Sequence, residues 1–205
     1  MTELQWAAIG TVSVYLLLFF LMSAVAARAA GQSIWLFGSA TGTEKLAAIC
    51  FRSAFAIVII GPVFVAVFPP LAEFDLLHST TPFWVGQLGH IFAVAGAMLA
   101  FAAQVSMGAS WRVGVNHDAV GALVSGGLYD YSRNPTFVGQ GMLMIGTALV
   151  VPSLLTFAGV VLFSAAAQMQ VKSEERTLLN SYGDRYRSYL HRVPRWFGWK
   201  ALDRK

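Results

Sequence analysis

Charged residues are scarce in this chain of 205 residues: Asp, Glu, Lys and Arg make up 12% of it, whereas 57% of the residues are hydrophobic. A soluble globular domain carries about 25% charged residues and about 45–50% apolar ones. A soluble protein of this composition would expose too much apolar surface, and disordered chains are polar and poor in aromatic residues. Both classes are therefore excluded, and an integral membrane protein remains.

Cysteine is nearly absent as well, since Cys50 is the single one in the chain. One cysteine excludes an internal disulfide, and it excludes the paired-cysteine motifs that bind structural zinc. We therefore expect no metal site.

Long stretches without Asp, Glu, Lys or Arg predict the membrane helices. There are four of them, at Leu4–Ala27, Ser53–Ala72, Phe83–Met107 and Thr136–Val171. The last has 36 residues, and as one helix it would be about 54 Å long against about 30 Å of hydrocarbon. Pro152-Ser153 lies near its middle, so we predict a tight helical hairpin with a short first arm. The expected fold is all-α, with about five transmembrane helices.

The distribution of basic residues predicts the orientation of the chain. The segment from Pro69 to Pro82 contains Glu73 and Asp75 but no Lys or Arg. In a five-span arrangement every basic residue falls on the opposite side or at its boundary. Because basic residues favour the cytoplasmic side, we expect the N-terminus outside and the C-terminus in the cytoplasm. The net charge of +4 then indicates contact with anionic lipid rather than with nucleic acid.

Polar residues divide the chain into two parts. Residues 1–107 would form three helices that act as a scaffold and contain a candidate substrate cavity. Residues 108–205 would form the catalytic half, with a loop, the hairpin and a cytoplasmic C-terminal segment. Glu174 and Glu175 follow the hairpin, and Arg133 precedes it. An anionic pair beside an arginine at a membrane boundary suits a zwitterion with additional positive charge.

Several short motifs follow one another in this half: Leu123 to Tyr129, Arg133-Asn134-Pro135, Glu174-Glu175-Arg176, Leu178, Tyr182-Gly183, Tyr186, Tyr189 and Val193-Pro194. In this order, with an uncharged hairpin between Arg-Asn-Pro and Glu-Glu, they resemble the C-terminal region of isoprenylcysteine carboxyl methyltransferases. Phospholipid methyltransferases share part of the pattern. The resemblance covers roughly residues 108–197.

The resemblance implies an integral membrane methyltransferase that uses S-adenosylmethionine. It implies a cofactor pocket that faces the cytoplasm and is capped by the C-terminal segment, and a lipophilic substrate that enters from the bilayer. Transferred to this sequence, it places Gly127, Tyr129, Arg133 and Asn134 on one side of the cofactor. Glu174 and Glu175 would lie on the other side, and Glu175 would bind the ribose hydroxyls or the amino group. Arg133 and Glu174 are the expected catalytic residues.

The methyl acceptor stays open between a carboxylate, an amine and a thiol. A carboxylate requires no base, and Arg133 or Arg195 would orient it. An amine or a thiol requires a proton acceptor, for which Glu174, His117 and Tyr129 are candidates. This chain has Asn134 where relatives that act on prenylated proteins commonly have His, and Asn-Pro also occurs in phospholipid methyltransferases.

Two other functional classes remain as alternatives. A membrane reductase of the sterol-reductase type resembles this family in its C-terminal half and uses NADPH, although this chain is short for such an enzyme. A small channel or scaffold would need ionisable groups along a transmembrane path. Only His90 lies near the middle of a predicted span, which argues against that class.

Overall fold

The computed structural model describes residues 1–30, 42–68, 70, 75, 82–111 and 123–198. These residues are predominantly helical and include no strand, which confirms the all-α fold. The α-helices are α1 Glu3–Ala30, α2 Gly42–Val67, α3 Phe83–Met107, α4 Pro135–Val150, α5 Leu154–Tyr182 and α6 Asp184–Arg192. Short 3₁₀ turns occupy Gly108–Ser110 and Gly127–Asp130.

Four of the described helices, α1, α2, α3 and α5, are long and apolar enough to cross a membrane, and α4 is a shorter apolar helix of 16 residues. Many large apolar side chains on these helices are exposed, among them Leu17, Ile60, Ile91, Met98 and Val161. Apolar surface of this extent is normal only where lipid covers it. The chain is therefore an integral membrane protein.

The helix boundaries agree with the uncharged stretches most closely for α3, which spans the expected residues. Helix α2 differs: it begins at Gly42, eleven residues before the uncharged stretch, and ends at Val67. It includes Glu44 and Arg52 because a helix can continue past the hydrocarbon into the polar interface.

The predicted hairpin is present, and its turn has a specific local cause. Helices α4 and α5 are separated by Val151, Pro152 and Ser153. Ser153 caps α5: its hydroxyl accepts a hydrogen bond from the backbone N–H of Thr156, and the Thr156 hydroxyl accepts one from the N–H of Ser153. This capping box starts a new helix immediately after the proline.

Helices α3 and α4 pack with their backbones in contact, at positions where both have small residues. A Cβ atom added to Gly96 would lie 2.5 Å from the carbonyl oxygen of Gly139 and from the N atom of Leu143. A Cβ on Gly146 would lie 2.5 Å from the backbone N atom of Ala93. Small residues permit this approach between membrane helices, and it fixes α4 relative to α3.

The interior of the bundle is aromatic, and polar side chains link α1 to α3 and to α4. The core includes Tyr15, Phe19, Phe55, Trp111 and Phe163. The Gln140 amide on α4 donates a 2.7 Å hydrogen bond to the hydroxyl of Tyr15 on α1. The Gln104 amide on α3 donates 3.0 Å hydrogen bonds to α1, at the carbonyl of Phe19 and the hydroxyl of Ser23.

Candidate functional site

Three segments that are distant in sequence meet at one end of the bundle. They are the turn 127–134 that precedes α4, the C-terminal part of α5, and α6 with the residues after it. We call residues 193–198 the strap. Helix α5 ends because Gly183 adopts a left-handed φ of +51°, a conformation that glycine reaches without the cost of a Cβ. The chain then turns back as α6, and the strap returns to the turn 127–134.

A carboxylate held by two arginines lies where these segments meet. Oε1 of Glu175 is 2.8 Å from Nη1 of Arg133 and accepts a 3.0 Å hydrogen bond from Nε of Arg195. Oε2 of Glu175 accepts a 2.5 Å hydrogen bond from Nη2 of Arg195. We call these three residues the arginine–glutamate cluster. It joins all three segments, and its bidentate contact fixes the orientation of Arg195.

The cluster carries a net positive charge, because two guanidinium groups share one carboxylate. The side chains of Arg133 and Glu175 are only 12% and 15% exposed. Nε of Arg133 is buried and has no hydrogen-bond partner among the described residues. A buried cationic donor without a partner costs free energy unless another group satisfies it. The cluster therefore favours an anionic group beside Arg133.

The strap is bound to the turn 127–134 along its length. The backbone N–H of Arg133 donates to the carbonyl of Pro194 at 3.0 Å, and the N–H of Gly198 donates to the carbonyl of Tyr131 at 3.2 Å. Between them, the Asn134 side-chain amide donates a 2.9 Å hydrogen bond to the carbonyl of Arg195. Asn134 is the residue before α4, but its side chain does not cap the helix because it binds the strap instead.

Three buried tyrosines form the floor of the site. The Tyr189 hydroxyl donates a 2.7 Å hydrogen bond to the carbonyl of Tyr129, and the Tyr129 hydroxyl donates one of 3.3 Å to the carbonyl of Ala103. Burial raises the pKa of Tyr186 to about 12, and the charge of Glu175 adds to this effect. Burial also raises the pKa values of Tyr129 and Tyr189. All three hydroxyls therefore stay protonated near neutral pH, which disfavours Tyr129 as a general base.

Glu174 precedes Glu175 on α5 and is half-buried. No hydrogen bond or ion pair joins its carboxylate to another described residue, so it is available to a ligand. The adjacent Ser173 donates a hydrogen bond to the carboxylate of Glu44, which ties this part of α5 to the start of α2. Gly127 begins the turn with a left-handed φ of +65° and is exposed.

The structure thus brings Arg133 and Glu175 into direct contact and places Tyr129 and Asn134 beside them. His117, a candidate base, lies outside the described residues. Sequence reasoning missed the contact between Arg195 and Glu175, since the two residues are separated by a helix break and a second helix. Tyr186 and Tyr189 are both buried, and their three-residue spacing is typical of one helix face.

Residues 84–185 match the family described as phospholipid methyltransferase. The chain is 27% identical over 114 residues to the protein-S-isoprenylcysteine O-methyltransferase of Xenopus laevis, covering 54% of this chain and 40% of that protein. It is 30% identical over 109 residues to the enzyme of the same name from Schizosaccharomyces pombe, covering 50% and 45%. The chain thus spans less than half the length of these curated relatives.

The fold matches the structure of a eukaryotic intramembrane Ras methyltransferase, an isoprenylcysteine carboxyl methyltransferase. The TM-score is 0.58 at 20% sequence identity, over 95% of this chain and 70% of that one. The chain is therefore an integral membrane protein of the fold seen in that enzyme. The matches together support the assignment of this chain to the family of isoprenylcysteine and phospholipid methyltransferases.

Proposed function

We propose that this protein is an integral membrane methyltransferase that transfers a methyl group from S-adenosylmethionine to a lipophilic acceptor. The family membership supports the reaction class. The arginine–glutamate cluster carries the site assignment, because it presents a net positive charge and a buried donor that no described residue binds, at the C-terminal part of α5.

The residues present fit this cofactor. The methionine part of S-adenosylmethionine has a carboxylate, and Nε of Arg133 is a buried cationic donor without a partner among the described residues. The same part has an ammonium group, and Glu174 has a carboxylate that no described residue binds. Both oxygens of Glu175 are already bound by the arginines, so we assign Glu175 a positioning role in place of direct contact with the ribose.

When bound, S-adenosylmethionine supplies a methyl group on a sulfonium whose charge disappears during transfer. A site with neutral walls and little water favours such a step. Tyr129, Tyr186 and Tyr189 provide walls of this kind, since burial keeps their hydroxyls protonated. Most of the acceleration would come from positioning, which the strap and the cluster provide.

The acceptor is proposed to be a carboxylate, an amine or a small thiol on an apolar body. The two curated relatives are named as O-methyltransferases of isoprenylcysteine, which makes a carboxylate the first candidate. Arg133 or Arg195 would orient it. For an amine or thiol, Glu174 is the stronger candidate for the proton acceptor, because the raised pKa of Tyr129 keeps that phenol protonated.

The orientation and the division of labour belong to the same proposal. We place the C-terminus in the cytoplasm, where S-adenosylmethionine is made, and we assign residues 1–107 to the scaffold and residues 108–205 to catalysis. The acceptor enters from the bilayer, and membrane lipids surround the remaining helix faces.

The test is incubation of membranes containing the protein with S-adenosylmethionine labelled in its methyl group. We expect label in lipid, in protein or in a small product with the wild-type chain, and at least a tenfold lower rate with Arg133→Ala. Equal incorporation by both chains would refute the site assignment. Binding of NADPH without binding of S-adenosylhomocysteine would instead support a reductase.

A further inference from the structure

The lipid-facing side of α5 continues into two basic residues. Exposed positions recur three or four residues apart at Val161, Ala165 and Gln168, and Val161 is 68% exposed. Lys172 and Arg176 continue this spacing and are exposed too, so they lie on the same side of the helix. Because Lys and Arg extend their charged ends into the polar interface, the two cations lie at the level of the lipid headgroups.

These two cations have no ion-pair partner among the residues that the structure describes. The neighbouring carboxylate of Glu175 is already bound by Arg133 and Arg195. Residues four apart on a helix have Cβ atoms about 5–6 Å apart, so Lys172 and Arg176 can both reach one phosphate group. Arginine binds phosphate through short, charge-assisted hydrogen bonds. The pair therefore favours an anionic group on the lipid-facing side of α5.

Helix α6 brings a third cation to the same level. The chain runs back along α5 after Gly183, because Val193 at the start of the strap belongs to an apolar cluster that includes Leu178 of α5. Arg192 is exposed and immediately precedes the strap. It therefore lies near the level of Arg176 along α5, and it forms no ion pair with a described residue.

We propose that Lys172, Arg176 and Arg192 bind the headgroup of an anionic phospholipid. Each Lys or Arg near the surface of an anionic membrane contributes about fivefold to the affinity for it. A headgroup held by Arg192 and by α5 fixes the start of the strap that carries Arg195. This consequence rests on the proposed function: because the strap completes the cofactor site, lipid and cofactor binding strengthen each other reciprocally.

A soluble acidic protein fits these residues less well than a lipid does. Two of the three cations continue a helix face whose preceding turns are covered by hydrocarbon, so a soluble partner would have to displace headgroups to reach them. Arg185 and Arg187, exposed in the first turn of α6, lie farther from the hydrocarbon and would be easier for it to reach. The same two residues provide a matched control for the lipid.

The first experiment measures lipid binding without cofactor. Native mass spectrometry of the protein in detergent compares retention of phosphatidylserine with retention of phosphatidylcholine. We expect the wild type to prefer phosphatidylserine at least tenfold, and the double variant Lys172→Gln, Arg176→Gln to prefer it less than threefold. The control Arg185→Gln, Arg187→Gln removes the same charge and should keep the wild-type preference. Glycerophosphoserine, which lacks acyl chains, should not displace the bound lipid.

The second experiment measures S-adenosylhomocysteine affinity in nanodiscs of phosphatidylcholine, with and without phosphatidylserine. We expect phosphatidylserine to raise the affinity at least threefold in the wild type and in the control, but not in the Lys172→Gln, Arg176→Gln variant. Without phosphatidylserine all three proteins should agree within twofold, which shows that the arginine–glutamate cluster is intact.

Three results would overturn the inference. Equal retention of both lipids by the wild type would leave the surface to an acidic protein, and an equal loss in the control would show diffuse attraction. Displacement by glycerophosphoserine would assign the site to a soluble anion. A wild type that prefers phosphatidylserine but binds no S-adenosylhomocysteine in either nanodisc would instead count against the proposed function.

Discussion

The side-chain amide of Asn134 donates a hydrogen bond of 2.9 Å to the backbone carbonyl of Arg195. The residue before α4 thus fixes the backbone of the residue whose guanidinium binds Glu175. Two backbone hydrogen bonds, from the N–H groups of Arg133 and Gly198, also join the strap to the turn 127–134. The position of Arg195 therefore depends on contacts made before the hairpin as well as on its own ion pair.

Loss of the Asn134 contact should weaken cofactor binding moderately. Asn134→Ala removes one hydrogen bond, which contributes about 0.5–1.5 kcal/mol and corresponds to about a two- to tenfold loss of affinity. We expect this loss for S-adenosylhomocysteine, measured by calorimetry. Asn180→Ala, at an exposed position on α5, is the matched control and should bind like the wild type. Equal affinities in all three proteins would show that the strap is held without Asn134.

Disruption of the arginine–glutamate cluster should have a larger effect. Glu175→Gln leaves two guanidinium groups without their carboxylate, and Arg133→Ala removes the buried donor that no described residue binds. Because charge-assisted contacts of this kind are strong when partly buried, we expect each variant to lose at least tenfold in S-adenosylhomocysteine affinity. Circular dichroism should show the wild-type helix content in both.

The control for this prediction is an ion pair outside the cluster. Arg187 lies 3.7 Å from Asp184, and the two side chains are 66% and 96% exposed. Exposed pairs contribute little to stability, so Arg187→Ala should leave binding unchanged. If Glu175→Gln and Arg133→Ala bound as tightly as Arg187→Ala, the site would have to lie elsewhere.

The close contact of α3 with α4 predicts a difference between two glycines in helices. Gly96→Ala places a Cβ 2.5 Å from backbone atoms of α4, and separation of the helices should cost about 1–3 kcal/mol, as overpacking does. Gly10→Ala on α1 meets no atom within 4 Å and should gain up to about 1 kcal/mol from helix propensity. Thermal unfolding in detergent measures both; equal melting temperatures would contradict the packing described.

Because the hydroxyl of Tyr186 is buried, we expect the protein to lose stability in alkaline solution. An exposed tyrosine in the unfolded chain loses its proton near pH 10, whereas burial holds the pKa of Tyr186 at about 12 in the folded protein. The stability that the protonated hydroxyl of Tyr186 contributes is therefore complete below about pH 10. It is lost as the pH rises to about 12, and the free energy of unfolding falls by about 2–3 kcal/mol. Tyr186→Phe should unfold with a smaller pH dependence than the wild type between pH 9 and 12. An identical pH dependence would mean that the hydroxyl is not buried.

The arrangement of the helices could be predicted largely from charge and proline. A long uncharged stretch forms a helix in a membrane, because a helix satisfies its own backbone hydrogen bonds there. Helix α3 and the hairpin at Pro152-Ser153 could therefore be predicted directly. Helix α2 extended further than predicted, because the absence of charge marks the hydrocarbon and not the end of a helix.

The site could be predicted only in part, since its assembly depends on the tertiary fold. The sequence indicated Arg133 and Glu175 as one site, because the hairpin returns the chain to the side from which it started. It gave no indication that Arg195 binds the same carboxylate, as that contact depends on the angle at Gly183 and on the length of α6. The use of Asn134 to bind the strap was hidden for the same reason, since an asparagine before Pro135 equally predicts a helix cap.

The short first arm of the hairpin has a consequence for the membrane itself. A helix of 16 residues is about 24 Å long, about 6 Å less than a hydrocarbon core of about 30 Å. Because α4 packs against α3 through backbone contact, it cannot shift along α3 to compensate for this difference in length. Either the bilayer thins beside α4 or the start of α4 lies below the level of the headgroups. If Arg133 binds the acceptor as proposed, a group anchored in the lipid then has a shorter distance to cross before it reaches this residue.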